Sequence, residues 1–168
     1  MAENQRMVSA RGGLSLPALG LGTWKMGEKR GQRKAEVAAL RHSLDLGLGL
    51  IDTAEMYSSG GTEQVVGEAI RGRHDEVYLV SKVLPSNASL KGTIKAAEHS
   101  LKHLNCDHID LYLLHWPGSH PLAETLEAFK RLIEDGKIGR YDVSNFDAGE
   151  MEDAMAESGG DAICVNQI

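Results

Sequence analysis

A chain of 168 residues with 42% hydrophobic and 25% charged residues fits one α/β domain and excludes collagen-like, coiled-coil and disordered classes. A net charge of −6 and a pI near 5.6 argue against a nucleic-acid surface, because the basic residues are scattered rather than gathered on one face. The opening MAENQRMVSARGG lacks the apolar core of a signal peptide, no run approaches membrane-span length, and Cys106 and Cys164 lack CxxC spacing. A cytoplasmic protein with reduced cysteines and no membrane partner is the expectation.

Short β-type runs alternate with amphipathic helical stretches, the rhythm of βαβ units and a parallel sheet. A hairpin is expected over about 7–17, turning at Gly12 and Gly13, and ALGLG (18–22) reads as the first core strand. Val37, Leu40 and Leu44 stripe a helix from Arg33 to Asp45, which Gly47 closes. LIDT (50–53) is the next strand, 63–72 a helix with Thr62 as its N-cap, and VYLVS (77–81) a strand. Leu90, Ile94, Ala97, Leu101 and Leu104 lay one helix face on the sheet, and IDLYLLH (109–115) is apolar enough to be buried on both sides. Pro121 opens a helix striped by Leu122, Leu126, Phe129 and Ile133 and ended by Gly136. IGRYDVS (138–144) is a strand, Asp147 and Glu150 form a capping-box pattern before Met151, Ala154 and Met155, and AICVNQI (162–168) is a last strand. Six strands and five helices result, with no internal repeat and no linker, so one domain over 1–168 is expected.

Loops after the C-terminal ends of parallel strands hold the active sites of such folds. Here the strands finish in Gly22, Thr23 and Trp24; in Asp52; in Ser81 and Lys82; in His115 and Trp116; in Ser144 and Asn145; and in Asn166 and Gln167. Asp52 interrupts an apolar run, and a buried carboxylate costs several kcal/mol unless a cation or several donors meet it. Lys82 is the available cation. Held by Asp52, its ammonium would lower the pKa of the Tyr57 phenol, and His115 would supply a hydrogen-bond donor or relay proton beside the same hydroxyl.

The strings GLGTW, IDTAEMY, LVSK, IDLYLLHW, VSNF and NQ, in this order and spacing, resemble the aldo-keto reductase family from about Leu16 to Ile168. The resemblance implies a parallel (β/α)8 TIM barrel, of which the chain supplies about the first six strands and five helices. It implies a catalytic tetrad of Asp52, Tyr57, Lys82 and His115, which would reduce aldehyde or ketone carbonyls with NADPH, or less often NADH. By the same matching, Ser144, Asn145 and Gln167 would hydrogen-bond the nicotinamide carboxamide. Gly22, Thr23 and Trp24 would line the cofactor site, with Asp52 beside it, and Trp24 and Trp116 would wall the substrate pocket. A small carbonyl compound is the implied partner, with a monomeric full-length form.

Two other readings compete. His99, His103, Cys106 and His108 read HxxxHxxCxH, a spacing that could chelate zinc, although Leu101 and Leu104 mark the buried face and leave His99 and His103 on its flank. No metal is expected. A barrel of this class usually takes about 250 residues, so the chain could instead be an idle fragment or binding subunit that self-associates through two unpaired sheet edges. The family's GVSNF stands here as DVSNF: Asp142 brings a charge to the barrel wall unless Arg140 pairs with it, and Asp142→Gly is therefore expected to stabilise.

Overall fold

The computed structural model describes residues 6–168. A two-stranded antiparallel ribbon comes first, β1 (Met7–Ser9) against β2 (Ser15–Pro17), turned through Gly12 and Gly13 at φ +65° and +72°, a region that glycine enters without steric cost. The main sheet follows: β3 (Gly20–Gly22), β4 (Leu50–Asp52), β5 (Tyr78–Val83), β6 (Ile109–Leu114), β7 (Ile138–Ser144) and β8 (Asn166–Gln167). All neighbours are parallel and lie in chain order, and the longer connections carry helices: α1 (Arg33–Asp45), α2 (Gly61–Ile70), α3 (Leu90–Leu104), α4 (Leu122–Glu134) and α5 (Ala148–Ala156). This is the arrangement of six strands and five helices of a (β/α)8 barrel, with β3 and β8 each paired on one side among the described residues.

Strand alternation sorts side chains between two layers. Ile51, Leu79, Val83, Tyr112, Leu114, Tyr141 and Val143 pack in one large cluster with helix residues such as Leu40, Val66, Leu101 and Phe129. On the opposite face Val80, Leu111 and Leu113 form a small cluster with Leu50 and Tyr78. Lys82 shares the strand face of Tyr78 and Val80, which is the concave side of the sheet. Phe129 ties α4 to the sheet by stacking on Tyr141 at 5.3 Å and meeting Tyr112 edge-on at 5.7 Å.

Helices with a clean 3.6-residue stripe fall where the sequence puts them, and the Asp147–Glu150 capping box forms in both directions. Three details differ. Thr62 is not an N-cap: α2 begins at Gly61, and the Thr62 hydroxyl donates to the Met26 carbonyl at 2.5 Å. β5 runs on to Val83, so Lys82 lies inside the strand and not after it. Ile133 is 39% exposed, because Leu126, Phe129 and Leu132 take the buried stripe of α4.

The largest difference is the last strand, of which only Asn166–Gln167 pairs as a strand. Asp142 takes over part of the ladder. Its Oδ1 accepts the backbone N–H of Cys164 at 2.5 Å and of Val165 at 2.9 Å, while its Oδ2 is buried with no hydrogen-bond partner among the described residues. Arg140 makes no ion pair with it; that guanidinium donates instead to the Gly12 carbonyl at 3.3 Å. Asp142→Gly would therefore strip two amides of their acceptor as well as remove a charge, so asparagine is the informative replacement.

Burial pushes the Asp142 carboxyl up to about 6, against the pull of those two N–H groups and of Arg140. A carboxyl raised in the folded state stabilises fully below its unfolded value of about 4, and that contribution is lost as pH rises through about 6. At about 1.4 kcal/mol per unit, the span is on the order of 3 kcal/mol. The melting-temperature advantage of the native chain over Asp142→Asn should therefore shrink between pH 4.5 and 7.5 in calorimetry. A constant difference would contradict the assignment.

Candidate active site

Asp52 ends β4 and Lys82 lies near the end of β5, both on the concave face. Lys82 is 2% exposed, and its Nζ donates to Asp52 Oδ1 at 2.7 Å, to Asp52 Oδ2 at 2.8 Å and to the Thr53 carbonyl at 2.9 Å. It also approaches the Tyr57 hydroxyl at 3.5 Å. Tyr57 opens a tight turn, Tyr57–Gly60, in which Ser58, Ser59 and Gly60 all have positive φ. His115, just after β6, meets the Tyr57 ring edge-on at 5.8 Å and lies 4.7 Å from the Trp116 ring. The four residues named from the sequence thus converge on one spot at the strands' C-terminal ends.

Their electrostatics depart from the expectation in one respect. The Tyr57 phenol is pushed up, not down, first by burial and then by the Asp52 charge. Burial is the larger cause; beside it, Asp52 holds Nζ closer than the phenol does, so the tyrosine faces an ion pair and not a free cation. Burial draws the Lys82 ammonium down against the opposing pull of Asp52. His115 is brought down to about 4 by burial and by the Lys82 charge, so it is neutral at physiological pH, and its Nδ1 is buried without a hydrogen-bond partner among the described residues. It can supply one N–H donor, but it does not carry a standing charge.

The other named residues form the rim. Ser144 donates to the Gln167 carbonyl at 2.7 Å; Asn145, at φ +58°, turns its amide to donate to the His115 carbonyl at 2.9 Å and to Ser144 Oγ at 3.0 Å. Gln167 Nε2 donates to Asp52 Oδ1 at 3.1 Å, joining the eighth strand to the fourth. Thr23 is fully buried with its hydroxyl on the Asp52 carbonyl at 2.8 Å, and a methyl group added at Gly22 would meet nothing within 4 Å. Trp24 is 67% exposed with Lys25 Nζ above its ring at 4.9 Å, and Trp116 is 36% exposed.

Two carboxylates were not singled out from the sequence. Glu55 accepts the Leu84 N–H at 2.6 Å and the Asn87 amide at 3.0 Å, fixing the loop after β5. Glu63 is fully buried: Ser81 donates to its Oε1 at 2.8 Å, and His103 Nδ1 lies 3.2 Å from its Oε2. The available signal was position, since Glu63 shares a helical face with Val66 and Ile70 where an apolar residue belongs. The zinc spacing is dispersed: His103 turns to Glu63, Cys106 donates to the His108 carbonyl, and His108 donates to the Gly136 carbonyl. Among the described residues no three His, Cys, Asp or Glu side chains gather where they could hold a metal ion.

A partial barrel carrying an acid, a lysine, a tyrosine and a histidine at its strand ends is the arrangement that the resemblance in the sequence implies. The aldo/keto reductase family model matches residues 18–168, and the chain belongs to that family. It is 53% identical over 164 residues to methylglyoxal reductase YeaE of Escherichia coli, covering 98% of this chain and 58% of that protein. It is 38% identical over 154 residues to aldo-keto reductase YhdN of Bacillus subtilis, covering 83% of this chain and 46% of that one. A crystal structure of an aldo/keto reductase from Klebsiella pneumoniae in complex with NADP and acetate superposes with a TM-score of 0.93 at 49% identity, covering 98% of this chain and 58% of that chain. The chain thus spans about half the length of these relatives.

Proposed function

We propose that the chain carries the proton-donating half of an NADPH-dependent carbonyl reduction, with Tyr57 as general acid. The observation that carries this reading is the convergence of Lys82 Nζ, Asp52 and the Tyr57 hydroxyl within 3.5 Å beside His115. A phenol held up by burial remains protonated at neutral pH, as an acid must before it donates. A nicotinamide fits the chemistry of the rim, where the strand ends carry the hydroxyl and amide groups of Ser144, Asn145 and Gln167 and the partly uncovered rings of Trp24 and Trp116. The bound cofactor would supply hydride to the carbonyl carbon. Tyr57 would give its proton to the carbonyl oxygen, Lys82 would stabilise the resulting phenolate, and Asp52 would keep Lys82 charged and aimed. His115, neutral, would orient the carbonyl oxygen through an N–H donor. The names of the E. coli relative and of the K. pneumoniae structures, solved with NADP or NADPH, support a small carbonyl compound such as methylglyoxal as substrate and NADPH as cofactor.

The test is absorbance loss at 340 nm with NADPH and methylglyoxal. Aldehyde-dependent loss is expected, and none at any protein concentration would overturn the enzymatic reading of this chain. Among the described residues β3 and β8 each pair on one side only, which favours a second reading, in which the chain works through association with another. Light scattering should then give a mass above 18.2 kDa that rises with concentration. A monodisperse monomer that binds NADPH at micromolar concentration would contradict it.

A further inference from the structure

The turn that presents Tyr57 is unusual in its backbone and in what lies beneath it. Ser58 and Ser59 both sit at φ +51°, where residues with a Cβ are strained by about 1–2 kcal/mol each, and Gly60 follows at φ +85°. Such a turn persists only if its surroundings hold it. On one side they do: the hydroxyls of Ser58 and Thr62 both donate to the Met26 carbonyl, at 3.0 and 2.5 Å. On the other side lies a cavity of about 360 Å³ lined by residues that include Met56, Ser59, Glu63, His99, Ser100 and His103. The imidazole of His103 reaches across from α3 to touch Gly60, so closely that a Cβ there would come within 2.4 Å of the ring.

That ring is itself held. Its Nδ1 lies against Glu63 Oε2, while Glu63 Oε1 takes the hydroxyl of Ser81, the residue before Lys82 on β5. One buried carboxylate therefore connects the strand of the lysine to the imidazole that backs the turn of the tyrosine. Burying a carboxylate in this way is costly unless it is well bonded, and Val66 and Ile70 show that an apolar side chain suits this face of α2.

We propose that Glu63 and His103 are positioning residues that set the distance between the Tyr57 hydroxyl and Lys82 Nζ, acting through Ser81 on one side and Gly60 on the other. The inference rests on the reading of Tyr57 as the general acid, but the position of Tyr57 can be followed without turnover. Burial pushes the Glu63 carboxyl up, and Ser100, Ser81 and His103 oppose that rise.

The experiment is ¹⁹F NMR of the full chain labelled with 3-fluorotyrosine, with the Tyr57 line assigned by Tyr57→Phe. Tyr78 and Tyr141 are remote controls, and Tyr112, which feels the Glu63 charge, is a local one. His103 is partly exposed, so His103→Ala should fold, and Glu63→Gln keeps an oxygen for Ser81. Both are expected to shift or split the Tyr57 line while Tyr78 and Tyr141 stay in place. In NADPH oxidation, kcat should fall about tenfold or more with KM for NADPH unchanged, since small misplacements of reacting groups are costly. A Tyr57 line left in place by either variant, or movement of Tyr112 alone, would overturn the proposal. Absence of turnover in the native chain would count against the carbonyl-reduction reading and leave the spectral result standing.

Discussion

Lys82→Met is expected to lower the unfolding free energy by about 3–5 kcal/mol, the usual cost of leaving one partner of a buried pair uncompensated. Lys82 is 2% exposed and holds both oxygens of Asp52. Without it the carboxylate keeps only the Gln167 amide as a side-chain donor in this cluster. The double replacement Asp52→Asn with Lys82→Met should recover much of the loss, because no isolated charge then remains. Urea unfolding of the two variants beside the native chain checks both statements. A loss below about 1 kcal/mol for Lys82→Met would mean that water screens the pair as it does on a surface.

Tyr57→Phe should have the largest effect on chemistry and little on the fold. The phenol's only polar contact in the tetrad is the 3.5 Å approach to Lys82, so its removal orphans no strongly bonded group. Loss of a positioned general acid costs typically 10²–10⁴-fold in rate. We therefore expect kcat for methylglyoxal to fall into that range, with NADPH affinity and melting temperature unchanged. Because burial and Asp52 hold the phenol above its ordinary value, the residual loss of activity at alkaline pH attributable to Tyr57 should begin only above the usual tyrosine range. Activity within threefold of native in the phenylalanine variant would remove Tyr57 from the role of acid.

The strand ends were readable because parallel α/β topology fixes where polar residues must collect, and Asp52, Lys82 and His115 each follow an apolar run. Helices with a single stripe, such as Leu126, Phe129 and Leu132 in α4, were legible for the same reason: periodicity survives without coordinates. What depends on distance was not. The sense of the Tyr57 shift turns on how deeply the phenol is buried and on its nearness to the Asp52 charge, and no spacing reveals either. Glu63 was hidden because one acid on an apolar face resembles a tolerated exception. The positive φ of Ser58 and Ser59, in a turn that contacts Met26 through Ser58 and His103 through Gly60, leaves no mark in residue type. The shortness of β8 was unreadable because a side chain from β7 stands in for backbone pairing.

That substitution sets two responses to acid against each other in one small region. Ionised, the Asp142 carboxylate grips the amides of Cys164 and Val165 more firmly, since a charged acceptor makes the stronger bond. The same ionisation is costly for the molecule as a whole. Neutralisation thus loosens the final segment of chain while it tightens everything around it, so amide exchange at those two positions and overall resistance to unfolding need not rise and fall together.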